Sequence, residues 1–95
     1  MKVIKRDGTI VEFDKMKIRL AIEAANNEIK ENGRASDEEI DAIISFIESL
    51  GKKRILVEDI QDIIEEKLMD YKHFELAKKY VNHSQLLFIE LYESF

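Results

Sequence analysis

Apolar and polar residues alternate on both sides of Asp7-Gly8 in the opening segment "KVIKRDGTIVEF". Period-two alternation around a dipeptide that accepts positive φ predicts a β-hairpin with a two-residue turn. That turn pairs Arg6 with Thr9, Lys5 with Ile10, Ile4 with Val11 and Val3 with Glu12. Ile4, Val11 and Phe13 then share one face, and Val3, Lys5, Ile10 and Glu12 the other. A lone hairpin is marginal in water, so a third strand is expected, and Arg54, Ile55 and Leu56 are its best candidate.

From Asp14 onward the apolar spacing turns helical. A first helix is predicted over 14–31, capped by Asp14, striped by Ile18, Ile22, Ala25 and Ile29, and leaving through a left-handed Asn32-Gly33. Ser36 and Glu39 form a capping-box pattern ahead of Ile40, Ile43, Ile44, Ile47 and Leu50, with Gly51 as the stop. A third helix is expected over 58–70, with Ile60, Ile63, Ile64 and Leu68 inward and Val57 as a weak cap. A fourth starts near His73 and buries Phe74, Ala77, Tyr80 and Val81. Over 86–95 the apolar residues Leu86, Leu87, Phe88, Ile89, Leu91, Tyr92 and Phe95 point in every helical direction, so this tail must dock on the bundle or pair with a second copy. The sum is one α+β domain over 1–95: a small three-stranded, antiparallel-type sheet capping a four-helix bundle.

Composition narrows the chemistry. The absence of cysteine excludes disulfides, thiolate metal sites and cysteine nucleophiles, and His73 and His83 have no metal-motif spacing. A net charge of −5 argues against a broad nucleic-acid or acidic-membrane footprint but leaves room for a local basic pocket. No segment has the ~20 apolar residues of a membrane span. The N-terminus carries charge and not an apolar leader, so a cytoplasmic location is the expectation. Phosphate loops, Rossmann fingerprints, nucleophile elbows and zinc-protease motifs are all missing, and pairs such as Glu65-Glu66 lie on solvent faces. The exception is a basic group, Lys5, Arg6, Lys17 and Arg19, around the hairpin and the first helix start. Lys17 stands in a first turn, where the helix dipole disfavours a cation. Either a bound phosphate explains it, or it is a solvated lysine of no consequence.

The string "VIKRDGTIVEFDKMKI", and later "ILVEDIQDIIEEKL" and "ELAKKY", resemble the ATP-cone family over nearly the whole chain. The opening motif is specific, because a basic pair, an Asp-Gly turn and a Lys-Ile step coincide in register. The resemblance implies a small sheet as a lid over four helices, with ATP or dATP held between them as effector and Mg2+ as an option on the phosphates. Carried over by position, it implies nucleotide contacts at Val3, Lys5, Arg6, Asp14, Lys17, Ile18, Val57 and Gln61. Lys5, Arg6 and Lys17 would meet phosphates, Val3 and Ile18 would flank the purine, and Val57 and Gln61 would approach base and sugar. Val57 stands where a hydroxyl residue is more usual, and His83-Ser84 replaces the usual Tyr-Arg step. The implied function is allosteric control of ribonucleotide reductase through its assembly state, by a module that is not itself an enzyme. Its partners would be the reductase catalytic domain, in cis or in trans, and a second copy of the chain. Two other readings stay open: the sensing part of a transcriptional regulator of reductase genes, and a helical interaction module with a decayed nucleotide site.

Overall fold

A computed structural model describes residues 1–84 and 90–92, without the side chains of 83 and 84. Strand β1 (Lys2–Ile4) is followed by β2 (Ile10–Glu12), α1 (Lys15–Asn26), α2 (Asp37–Ser49), β3 (Arg54–Leu56), α3 (Val57–Asp70) and α4 (Phe74–Lys79). A 3-10 turn, Glu31–Gly33, separates α1 from α2, and α4 runs on into a π-helical turn, Tyr80–Ser84. The expected α+β class is what forms.

The hairpin register differs by one residue from the expected one. Lys2 pairs with Glu12, Val3 with Val11 and Ile4 with Ile10. The loop has three residues, closed by Gly8 N–H to Lys5 C=O (3.0 Å) and Lys5 N–H to Thr9 C=O (2.8 Å). Gly8 has φ +87° but Asp7 does not share a positive φ, as a two-residue turn of the expected type would require. Asp7 instead accepts the Thr9 amide at 2.8 Å, and the Thr9 hydroxyl together with that amide holds its carboxyl below the usual range. A one-residue slip exchanges faces. Met1, Val3, Val11 and Phe13 therefore pack on the core together, while Ile10 is 42% exposed beside Lys2 and Glu12. The outer face still mixes Ile4 and Ile10 with Lys2 and Glu12, but the apolar pair Val3 and Val11 is now wholly on the core side.

The sheet order is β2-β1-β3, and β3 pairs with β1 in parallel, Val3 opposite Ile55 and Ile4 opposite Leu56. The sheet is thus mixed and not antiparallel throughout. Parallel neighbours need a crossover connection. Here α1 and α2 supply it, because both lie between β2 and β3 in the chain.

The helical stripes bury as spaced: Ile18, Ile22, Ala25, Ile40, Ile43, Ile44, Ile47, Ile60, Ile64 and Leu68 form the core with Val3 and Ile55. Ser36 and Glu39 make the reciprocal capping box, and the Glu39 carboxylate also meets His73 Nε2 at 2.9 Å. Burial pushes the Glu39 carboxyl up, but the Ser36 amide and His73 outweigh it and hold the group below its usual range. Helix α1 ends at Asn26, earlier than expected. The buried Asn26 amide exchanges bonds with Ala35 (3.1 and 3.0 Å), and Arg34 Nε donates to Asn26 C=O at 2.8 Å. These partners turn the chain before Asn32-Gly33, and Gly33 has no positive φ. Helix α3 begins at Val57 with Leu56 as its cap residue, one position earlier than expected. It ends where His73 N–H reaches Leu68 C=O and Lys72 N–H reaches Met69 C=O, with Lys72 left-handed at φ 65°. In α4 it is Leu76 that buries, with Ala77 and Tyr80, while Phe74 is 59% exposed. Of the apolar tail, Leu86, Leu87, Phe88, Ile89 and Phe95 lie outside the described residues. Tyr92 docks into the core.

Candidate functional site

Parallel pairing decides which residues meet. Since β1 and β3 run the same way, their C-terminal ends lie together. Ligand crevices form outside the carboxyl ends of parallel strands for this reason. Beyond β1 come Lys5 and Arg6, and beyond β3 the chain enters α3 without a loop. An antiparallel β3 would have set Lys52 and Lys53 beside the basic pair. Those lysines instead sit exposed at the opposite end, where Lys2 N–H donates to Lys53 C=O at 2.9 Å.

Ile4, Lys5, Arg6, Leu56, Val57 and Glu58 line a pocket of about 130 Å³ at this junction. Lys5 is only 9% exposed and makes no ion pair or side-chain hydrogen bond among the described residues. It lines the pocket although the residue is nearly all buried, a placement that its long apolar stem permits. Arg6 is exposed and pairs Nε with Glu58 Oε1 at 3.3 Å. The cap residue Leu56 offers α3 no side-chain acceptor, so the start of this helix adjoins the pocket without a side-chain cap. Basic side chains and a helix start without a side-chain cap on one small concavity suit an anion of phosphate size.

Below the pocket lie the apolar positions. Val3, Ile18 and Val57 are buried in the core cluster. Gln61, one turn after Val57 on α3, is 1% exposed, and its Oε1 has no hydrogen-bond partner. A sealed acceptor without a donor is costly and uncommon. The Tyr80 hydroxyl shares this condition, and burial together with the Glu65 carboxylate pushes its acidity well down, to a pKa above any working range.

Asp14 and Lys17 stand at the start of α1 and do not line that pocket. The Asp14 carboxylate accepts Met16 N–H at 3.0 Å, so this helix end already has an anion. Tyr92 closes over it: its hydroxyl accepts the Asp14 amide at 3.2 Å, and the Lys17 ammonium lies 4.5 Å from its ring centroid. Burial pushes the Tyr92 hydroxyl up to about 12. Sequence reasoning had no signal for this contact, because Tyr92 belongs to a tail whose apolar residues share no face.

Arg19 does not join the basic group. Three carboxylates surround it: Asp41 in direct contact, Asp37 at 3.5 Å and Glu23 at 4.0 Å. The larger cavity beside it, about 510 Å³ between α1 and α2, is lined by Asp41 and Glu48 as well as Lys15 and Arg19. Its charge balances, so it offers nothing to an anion. A further groove of about 330 Å³ runs between α3 and α4 past Met69, Phe74, Ala77 and Val81, and it is mostly apolar. Among the described residues no cluster of three or more histidine and carboxylate groups is arranged to hold a metal. No helix among them is long and apolar enough to cross a membrane.

Comparison with known proteins adds the family. The family model described as the ATP cone domain matches residues 1–86. The chain is 41% identical, across 84% of its own length, to a vitamin B12-dependent ribonucleoside-diphosphate reductase of Thermoplasma acidophilum. It is 34% identical across 85% of its length to a ribonucleoside-diphosphate reductase subunit alpha of Chlamydia trachomatis, and 39% identical to that of Chlamydia muridarum. It spans 11% of the length of the first relative and 9% of the other two.

Proposed function

This chain belongs to the ATP-cone family, and we propose that it is a regulatory module that binds ATP or dATP at the junction of the hairpin and α3. The observation that carries this reading is the parallel β1–β3 pair, which sets Lys5 and Arg6 against the uncapped start of α3. Lys5 and Arg6 hold phosphates, with Lys17 contributing a further charge from α1. Val3, Ile18 and Val57 supply the apolar walls for the purine. Gln61 then gains the donor it lacks, from the adenine amino group or a ribose hydroxyl. Asp14 fixes the start of α1 so that Lys17 is presented from a capped turn.

A pocket of about 130 Å³ falls well short of the ~300–1,000 Å³ typical of ligand sites. It accommodates a phosphate group, and the base and sugar enter only as the hairpin parts from the helices. Binding is therefore linked to a change of arrangement. A nucleotide that prefers one arrangement shifts the population toward it, and ATP and dATP differ in effect only through the ribose 2′-OH. The relatives named above are reductases, so the output of the switch is the activity of a ribonucleotide reductase catalytic domain, in cis or in trans, governed through assembly state. Mg2+ enters on the phosphates, and Glu58 is the carboxylate nearest to hand.

Calorimetric titration of the chain with ATP, dATP and GTP tests the reading. Saturable binding of ATP or dATP is expected, with GTP weaker because its base offers the wrong donor and acceptor pattern to Gln61. No heat with millimolar ATP and dATP overturns it in favour of an interaction module without a nucleotide.

A further inference from the structure

Glu58 answers the same two features that a phosphate would answer. It pairs with Arg6 at 3.3 Å, and it sits in the first turn of α3, a helix start without a side-chain cap where the dipole favours a negative group. It also lines the pocket together with Lys5 and Arg6. The same cavity thus holds two cations and one carboxylate, and the carboxylate engages only one of the cations: Lys5 makes no ion pair among the described residues.

We propose that Glu58 is an internal counter-anion of the nucleotide site, which occupies Arg6 in the empty chain and yields it when a phosphate enters. This rests on the reading of the junction as an adenine-nucleotide site and goes beyond it by assigning a competitor. Glu58 lowers affinity in two ways. The Arg6 pair must break, and the released carboxylate then remains near the phosphates as a like charge. The second contribution grows with the charge of the ligand and shrinks when Mg2+ neutralises part of it. Glu58 therefore biases the site toward the metal-bound triphosphate over the free one. Both side chains of the pair are more than half exposed, so the effect is that of a screened surface pair, a few-fold in binding and not orders of magnitude.

The test is a titration with ATP, in Mg2+ and in chelator, of the full chain, Glu58→Gln, Arg6→Ala and the double variant. Glu58→Gln should bind ATP about two- to fivefold more tightly, with the larger gain in chelator. In the Arg6→Ala background the gain should shrink, because that cycle isolates the pair. Unliganded melting of each variant separates affinity from folding, since a structural role would move the melting point and leave the Mg2+ dependence alone. If the wild type binds ATP and Glu58→Gln binds equally or more weakly, the counter-anion is wrong while the nucleotide site stands. If neither protein binds ATP in either condition, the nucleotide reading fails and takes this proposal with it.

Discussion

Arg6 and Arg19 both belong to the basic stretch that opens the chain, yet their surroundings differ in kind. Arg19 ties α1 to α2 through Asp37 and Asp41 and has Glu23 beside it, so its charge is spent inside the fold. Arg6 has a single exposed partner, and its neighbour Lys5 makes no ion pair among the described residues, with only the longer-range attraction of the exposed Asp7 carboxylate. The larger cavity accompanies the neutralised arginine, and the smaller one accompanies the positive surplus. An anion site is thus to be expected where positive charge exceeds its partners next to a helix start without a side-chain cap, and not from cavity size or from the count of basic residues in a stretch.

The strongest way to break this contrast is to remove charge from each region and read the effect of nucleotide on melting. With ATP at a hundred times its dissociation constant, linkage adds ~2.7 kcal/mol, which in a domain this small is roughly 10 °C or more. Lys5→Met keeps the buried stem and should lose most of that shift, whereas Arg19→Met should keep it. Lys17→Ala should lose it as well. In the empty protein this substitution has two opposing effects. Removing Lys17 relieves the helix dipole but also deletes the contact with the Tyr92 ring, which is worth about 0.5–1 kcal/mol.

Unliganded stability sharpens the contrast from the other side. Arg19→Met leaves three carboxylates facing one another and should cost about 1–1.5 kcal/mol by denaturant unfolding at low salt, less at high salt. Arg6→Ala breaks one exposed pair and should cost within about 0.5 kcal/mol.

The smallest effect belongs to Tyr92. Tyr92→Phe removes two long hydrogen bonds to Asp14 but keeps the ring beneath Lys17, a loss of about 0.5 kcal/mol near neutral pH. Because burial raises the hydroxyl to about 12, the folded state holds that proton more tightly than the unfolded chain, whose tyrosine titrates near ~10. Its contribution is fully present below ~10 and is lost as pH rises through about 12. Alkaline melting curves of wild type and Tyr92→Phe should therefore meet and cross in that window, the wild type ending as the less stable protein, because the rise from ~10 to about 12 carries about 2.7 kcal/mol of linkage, more than the neutral-pH difference. Curves that stay parallel would mean that Tyr92 is not docked in solution.

What was legible from sequence follows from the range of the forces involved. The isoleucine stripes, the Ser36–Glu39 box and the existence of the hairpin depend on neighbours within one turn, and they form as expected. The hairpin register was misread because Asp7-Gly8 serves a three-residue loop as well as a two-residue one, and the Asp7–Thr9 bond decides between them. A three-residue strand carries no mark of direction, so the parallel β3 could not be foreseen, although it determines what faces Lys5 and Arg6. The early end of α1 depends on Asn26 finding Ala35, and the docking of Tyr92 on a partner far along the chain. The site residues proposed from the family pattern do not all adjoin one cavity: Lys5, Arg6 and Val57 line the pocket, Val3, Ile18 and Gln61 are buried, and Asp14 and Lys17 lie against Tyr92.

The central claim, that the junction of hairpin and α3 is where the nucleotide binds, is tested most directly by amide correlation spectra of the chain during titration with ATP. The largest shifts should fall on Lys5, Arg6, Gly8, Val57 and Glu58, with Gln61 and Lys17 following, while Arg19, Asp41 and Glu48 around the balanced cavity stay in place. Shifts centred on the α1–α2 cavity, or none at saturating ATP, would contradict the account.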